Sequence, residues 1–142
     1  QEILDLAQAA GVSERLEIRR NLADEEKIEL MQAADFGLLM STFDDRTGGY
    51  EGYGIVMLEY AAAGCIPVTT GDYGMSDFAA HPGAAITLTA RGDDIAGGAN
   101  QLKAIAANEA DMHGRLIEAR RIISETLTWD KVAAQTLSAL ES

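Results

Sequence analysis

Cysteine is almost absent from this sequence: Cys65 is the only one among 142 residues. An internal disulfide is therefore excluded, and no Cys/His cluster has zinc-binding spacing. A lone thiol fits a reducing compartment, here taken as the cytoplasm. Proline is nearly as rare, with two residues, and no Ser/Gly/Pro-rich tract marks a linker. Positive charge is scarce as well. Lys and Arg total 11 against 23 Asp and Glu, a formal net charge of −12. So acidic a surface repels nucleic-acid phosphates and anionic lipid heads. Neither nucleic acid nor direct membrane contact is expected of this segment. An anionic ligand is compatible only where oriented backbone amides or a few cations gather locally. There is no apolar run long enough to span a bilayer, no signal peptide, no internal repeat and no low-complexity tract. The first residue is Gln1 rather than Met, so the chain is expected to begin inside a longer protein.

What is present is enough for one ordinary domain with a packed core: 47% hydrophobic and 24% charged residues. Ile3, Leu4, Leu6 and Ala7 have helical spacing, and Gly11 ends that run. Leu16 and Ile18 alternate with Glu17 and Arg19, which reads as a short strand. A second helix starts near Asp24, with an apolar stripe of Ile28, Leu30, Met31 and Ala34. Phe36 to Met40 is a short apolar run, a candidate buried strand. From Ser41 to Tyr53 the chain is polar and glycine-rich, the longest loop in it. Ile55 to Ala63 is a helix that is apolar almost all round, closed by Gly64. Ile66 to Thr70 reads as a strand, followed by a turn at Gly71, Asp72 and Gly74 and a short helix near Ser76 to Ala80. Ala85 to Leu88 is the last strand candidate. Helices are expected over Asp93 to Asn108, Asp111 to Thr126 and Trp129 to Leu140. Alternating strands and helices imply an α/β fold, a Rossmann-like parallel sheet covered by helices. In such sheets ligands bind beyond the carboxyl ends of the strands. The loops after Met40 and Thr70 lie at such ends.

The chemistry concentrates in Glu51-Gly-Tyr-Gly-Ile-Val-Met-Leu-Glu59. Gly52 and Gly54 let the backbone approach a ligand closely. A helix starting near Gly54 or Ile55 offers free N–H groups and a positive dipole end to an anion such as phosphate. Glu59 lies about 6–7 Å further along the axis, one turn past Ile55 on the same side. A carboxylate among such apolar neighbours is costly unless hydrogen-bonded or solvated by a cleft. Two adjacent ribose hydroxyls would supply donors to it, and Glu51 would sit past the phosphates, near a sugar ring. A structural bond from Glu59 to a neighbouring loop explains the residue as well, and spacing leaves both readings open.

The stretch EGYGIVMLEYAAAGCIPV, Glu51 to Val68, resembles the two-glutamate motif of family 4 glycosyltransferases, which are retaining enzymes of the two-domain GT-B type. The flanks are similar too. Ala34-Asp35 followed by FGLLMS resembles the family's A-D-x-x-x-x-P-S strand, with Met40 in place of proline. Gly74 and Asp77 resemble its G-G-x-x-E turn, and Thr128-Trp129-Asp130 its S-W-D. The resemblance implies that Glu59 binds the nucleotide ribose and that Glu51 contacts the transferred sugar as the catalytic-site acid. It also implies that Gly52, Tyr53, Gly54 and Ile55 meet the diphosphate and sugar. The implied activity is retaining transfer of a hexosyl group from a nucleotide-diphosphate sugar to an acceptor glycan, lipid or small molecule. No metal motif is visible and most relatives need none, so no cofactor is expected.

The family's basic Arg/Lys pair, which grips the diphosphate, lies upstream of the region this chain resembles. Residues 1–142 are thus expected to be a partial C-terminal nucleotide-sugar-binding domain, inactive alone, with the acceptor domain and first strands elsewhere. With a sheet order of 3-2-1-4-5-6, Leu16–Ile18 and Phe36–Met40 would not be neighbours. Arg20 replaces a glycine near the base, Tyr73 replaces the first glycine of the G-G-x-x-E turn, and Asp44, Asp45 and Arg46 in the long loop have no counterpart. Two rival readings are a non-catalytic nucleotide-sugar-binding or scaffold module and a sugar-nucleotide epimerase domain. The latter needs acid/base residues in the cleft, and no convincing pair is seen. His81 and His113 have no triad partners, Cys65 reads as a buried inert thiol, and Trp129 is expected to anchor the last helix to the core.

Overall fold

The run Ile66-Pro67-Val68-Thr69 is apolar on both faces of a strand, as a central parallel strand must be. In the computed structural model, which describes residues 2–42, 48–83, 85–87 and 95–141, it forms β2, Ile66–Thr69, and all four residues are buried. It is flanked in parallel by β1, Phe36–Leu39, and β3, Ile86–Thr87, in the order β1-β2-β3. Phe36 faces Ile66 and Leu39 faces Thr69, while Val68 faces Ile86.

A proline in a central strand needs an explanation, because it has no N–H for the ladder. The Ile66 N–H donates toward β1, to the Asp35 carbonyl oxygen at 2.9 Å. Strand alternation turns the Pro67 nitrogen to the opposite side. There β3 pairs only from Val68 onward, so among the described residues the missing donor removes no ladder bond.

The helices are α1 Glu2–Ala9, α2 Asp24–Ala33, α3 Ile55–Ala63, α4 Met75–Ala79, α5 Ile95–Ala106, α6 Glu109–Thr126 and α7 Trp129–Leu140. α3 packs on β1, β2, α2 and α6. Its start is Gly54 and its stop Gly64, both in the left-handed region. The Arg120 guanidinium on α6 donates to the Ala63 carbonyl at 3.5 Å, where the helix dipole is negative. α6 opens on an Asn108 side chain that accepts the Asp111 N–H at 3.1 Å. It serves two core clusters. Met57, Ala61, Met75 and Phe78 pack with its Ala119 and Ile122. Ile66, Val68, Ile86 and Ile105 pack with its Met112 and Leu116.

The expected elements are found within a residue or two where they fall on described residues, with four corrections. Leu16–Ile18 is not a strand. Both apolar residues stay exposed, at 37% and 42%, because a strand exists only by pairing and no described strand lies beside it. The Ile28 and Leu30 part of the α2 stripe is also exposed, and only Met31 is buried. Trp129 does not anchor α7: it is 80% exposed, and α7 has no buried residue. The ring belongs to the first residue of that helix, after the Thr128 cap, and its position is on the rim of a groove. α3 itself is buried on one side only, through Met57 and Ala61, with Ile55 57% exposed. The expected strand end at Leu88, the helix start at 93–94 and the loop residues Asp44, Asp45 and Arg46 lie outside the described residues.

Cys65 precedes β2 and is 1% exposed. Burial, aided by the Asp35 charge, pushes its thiol from the ordinary 9.0 up to about 11. The unfolded thiol therefore loses its proton first as pH rises. Its contribution to stability is complete below about pH 9 and is lost as pH climbs toward about 11. Tyr53 and Tyr60, also raised chiefly by burial, act in the same direction at higher pH. Thermal unfolding should show a falling midpoint over this alkaline range, with a shallower slope in Cys65→Ala. An identical slope in both proteins would contradict the assignment.

Candidate functional site

Two connections leave the carboxyl ends of adjacent strands: the loop from Leu39 to α3, and the turn from Thr69 to α4. Two contacts join them, Thr70 with Ser41 and Gly74 with Gly52, and others brace the turn itself. The Thr70 hydroxyl donates to the Ser41 carbonyl at 2.9 Å. The Thr69 hydroxyl accepts the Gly71 N–H at 3.1 Å and reaches the Met75 sulfur at 3.1 Å. At Gly74 the backbone lies so close to Gly52 that a Cβ there would overlap the Gly52 carbonyl oxygen. Gly54 is constrained twice. Its φ is 76°, and a Cβ would lie 2.8 Å from Leu39 Cδ2.

This junction sets the start of α3. Glu51 turns back toward it: its Oε1 accepts the Gly54 N–H at 2.9 Å and the Tyr53 N–H at 3.4 Å. The carboxylate occupies donors that a helix amino end otherwise presents to an external anion. Burial and then the Asp77 charge raise the Tyr53 hydroxyl above its ordinary value, so the phenol is neutral at physiological pH.

Glu59 stands one turn into α3, with 41% of its side chain exposed, and its Oε2 lies 3.4 Å from Lys27 Nζ on α2. Lys27 also approaches Asp24 at 3.8 Å. A half-exposed pair of this kind contributes about 0–1 kcal/mol, so it orients Glu59 without locking it. The carboxylate forms part of the wall between two grooves. A groove of about 680 Å³ runs between α3 and α6–α7 and is lined by Tyr53, Ile55, Leu58, Glu59, Ala62, Ile123, Leu127, Trp129 and Val132. A smaller one of about 340 Å³ lies between α2 and α3, with Lys27, Ile28, Met31, Gln32 and Glu59 among its walls.

Of the residues singled out in the sequence, the structure gathers Tyr53, Ile55 and Glu59 in the larger groove. Glu51, Gly52 and Gly54 do not line it and belong to the loop junction. Lys27 was not legible as a neighbour of Glu59, since 32 positions separate them and no local pattern connects α2 to α3. The α6–α7 wall was missed for the same reason. Among the described residues no group of three or more His, Cys, Asp or Glu side chains gathers as a metal site. No described helix is long and apolar enough to cross a membrane.

Parallel strands, glycine-bearing loops at their carboxyl ends and a helix amino end beside an open groove define a Rossmann-like ligand-binding fold. The sequence places it further: residues 1–122 match the profile of glycosyl transferases group 1. The chain belongs to that family, whose chemistry is in general glycosyl transfer from a nucleotide-sugar donor to an acceptor. No curated protein matches the chain.

Proposed function

We propose that residues 1–142 are the donor-binding portion of a retaining glycosyltransferase of the family 4, GT-B type. The observation that carries this reading is the common groove of Tyr53, Ile55 and Glu59 at the amino end of α3. In it, the Glu59 carboxylate accepts hydrogen bonds from the two ribose hydroxyls. The diphosphate lies at the backbone of Tyr53, Gly54 and Ile55, with Gly52 keeping the approach open, and displaces the Glu51 carboxylate from its N–H donors. Glu51, thus released, contacts the transferred hexosyl group. The bond from the anomeric carbon to the diphosphate oxygen breaks as that from the acceptor oxygen forms on the same face, and the acceptor's hydroxyl proton leaves on the diphosphate. Preorganised amides stabilise the leaving diphosphate.

We assign acceptor recognition and the diphosphate-gripping basic pair to sequence outside these residues, so that this portion alone binds donor without turnover. The outer edge of β1, which among the described residues pairs only with β2, and the exposed Leu16–Ile18 segment support a sheet completed by further strands. The buried thiol of Cys65 fits a cytoplasmic setting.

The ion pair with Lys27 favours a second reading, in which Glu59 is structural and the chain is a scaffold. Titration calorimetry of the chain with uridine, guanosine and adenosine diphosphates separates the two. Binding by at least one of them, weakened roughly 10-fold or more in Glu59→Ala, is the expected result. Loss of thermal stability in that variant with unchanged nucleotide affinity, or no binding by any of the three, would overturn the donor-site reading.

A further inference from the structure

Two aromatic rings, of Tyr50 and Tyr73, meet at the loop junction. Tyr50 lies immediately before Glu51, and Tyr73 lies in the turn between β2 and α4. Their ring centroids are 5.3 Å apart and their planes are tilted by 35°. Tyr50 is 63% exposed and Tyr73 49%. Two large rings kept partly in water forgo much of the gain that burial would bring. Tyr73 also sits at φ 51°, where a bulky residue is an outlier. Residues held in such conformations concentrate at ligand sites, because the surroundings must over-determine them.

The surroundings here do so. The backbone contact of Gly74 with Gly52 fixes the turn that carries Tyr73 against the loop that carries Tyr50. Each ring is thereby presented from a separate connection, at the carboxyl end of a different strand. Neither ring lines the groove beside Glu59, which the nucleoside occupies in the reading above. Tyr50 instead immediately precedes Glu51, the acid assigned to the sugar, and Tyr73 is held beside Tyr50. A pyranose carries a C–H face that packs on an aromatic ring and hydroxyls at its edge that hydrogen-bond. Tyrosine matches both requirements, with an apolar body and a phenol that donates and accepts.

We propose that Tyr50 and Tyr73 form an aromatic platform that binds a pyranose ring at the mouth of the site. The ring belongs to the donor or to the acceptor, and the chemistry of recognition is the same. This inference rests on the donor-site reading only for placing a sugar at this end of the sheet.

The test uses Tyr73→Gly and Tyr50→Ala in the full chain. Tyr73→Gly removes the ring and installs the residue most at ease at positive φ, so its thermal midpoint should hold or rise. Three probes are titrated: uridine and guanosine diphosphates, the matching glucose and mannose nucleotide sugars, and free methyl glucoside and mannoside. The expected result is a loss of roughly 3- to 10-fold in affinity for sugar-bearing probes, with the nucleoside diphosphates unaffected. Loss confined to nucleotide sugars assigns the platform to the donor, and loss confined to free glycosides to the acceptor. Unchanged affinity for every sugar-bearing probe in both variants, or equal weakening of nucleoside diphosphates, would overturn the platform. Binding of nucleoside diphosphates by the unaltered chain reports separately on the donor-site reading.

Discussion

Gly74→Val should lower the thermal midpoint by roughly 10 °C, equivalent to about 3 kcal/mol or more in a chain of this size. A Cβ at this position would overlap the carbonyl oxygen of Gly52. The obstruction is backbone, not the flexible end of a side chain, so it cannot rotate away. Either the turn after β2 or the loop before α3 must move. That motion would carry Gly54 and the Glu51 hydrogen bonds with it, because Glu51 bonds to the Gly54 N–H. The substitution therefore disturbs the site as well as the fold. Calorimetric unfolding gives the midpoint, and titration with nucleoside diphosphate should show the accompanying loss of affinity. A midpoint within about 3 °C of the unaltered chain would show that the two loops are not held in contact.

Phe78→Ala should cost about 3–5 kcal/mol, a large part of the 5–15 kcal/mol typical of a whole domain. Phe78 is the largest of the fully buried side chains, at 1% exposure. It joins the short helix α4 to Met57 and Ala61 of α3 and to Ala119 and Ile122 of α6. Five residues of helix have little stability of their own, so α4 depends on this anchor. Truncation leaves a cavity among three helices and frees the end of the turn that carries Gly74. Urea unfolding should show a lower midpoint at unchanged slope. Phe78→Leu, which keeps most of the volume, should cost less than about 1.5 kcal/mol. Equal losses in the two variants would mean that the ring's volume is not what holds α4 in place.

What the sequence made legible was local. Ile55 to Ala63 is found as α3 with both ends as expected, because an apolar helical run stopped by Gly64 has few other solutions. β1 and β2 were legible as short apolar runs between glycine-bearing connections. Ile55 and Glu59 could be brought together in advance because helical geometry sets them one turn apart, while Tyr53, ahead of α3, was grouped with them by the family resemblance. The failures are all matters of tertiary partnership. Leu16–Ile18 has the alternation of a strand, yet alternation supplies no neighbour. Trp129 has the size of an anchor, but it lies at the first turn of a helix that buries nothing. The contact of Gly52 with Gly74 and the pairing of Glu59 with Lys27 depend on how two crossovers stack. The bonds from the Gly54 and Tyr53 N–H groups to Glu51 were likewise not indicated by spacing, although three residues of loop suffice to bring acid and N–H together.

Pro67 has a further consequence for the way the strands assemble. Sliding β3 back by one position along β2 would set it opposite a pyrrolidine ring and leave a carbonyl of β3 with no donor. The sole interior proline thus acts as a stop that permits one alignment of the third strand and penalises the adjacent one.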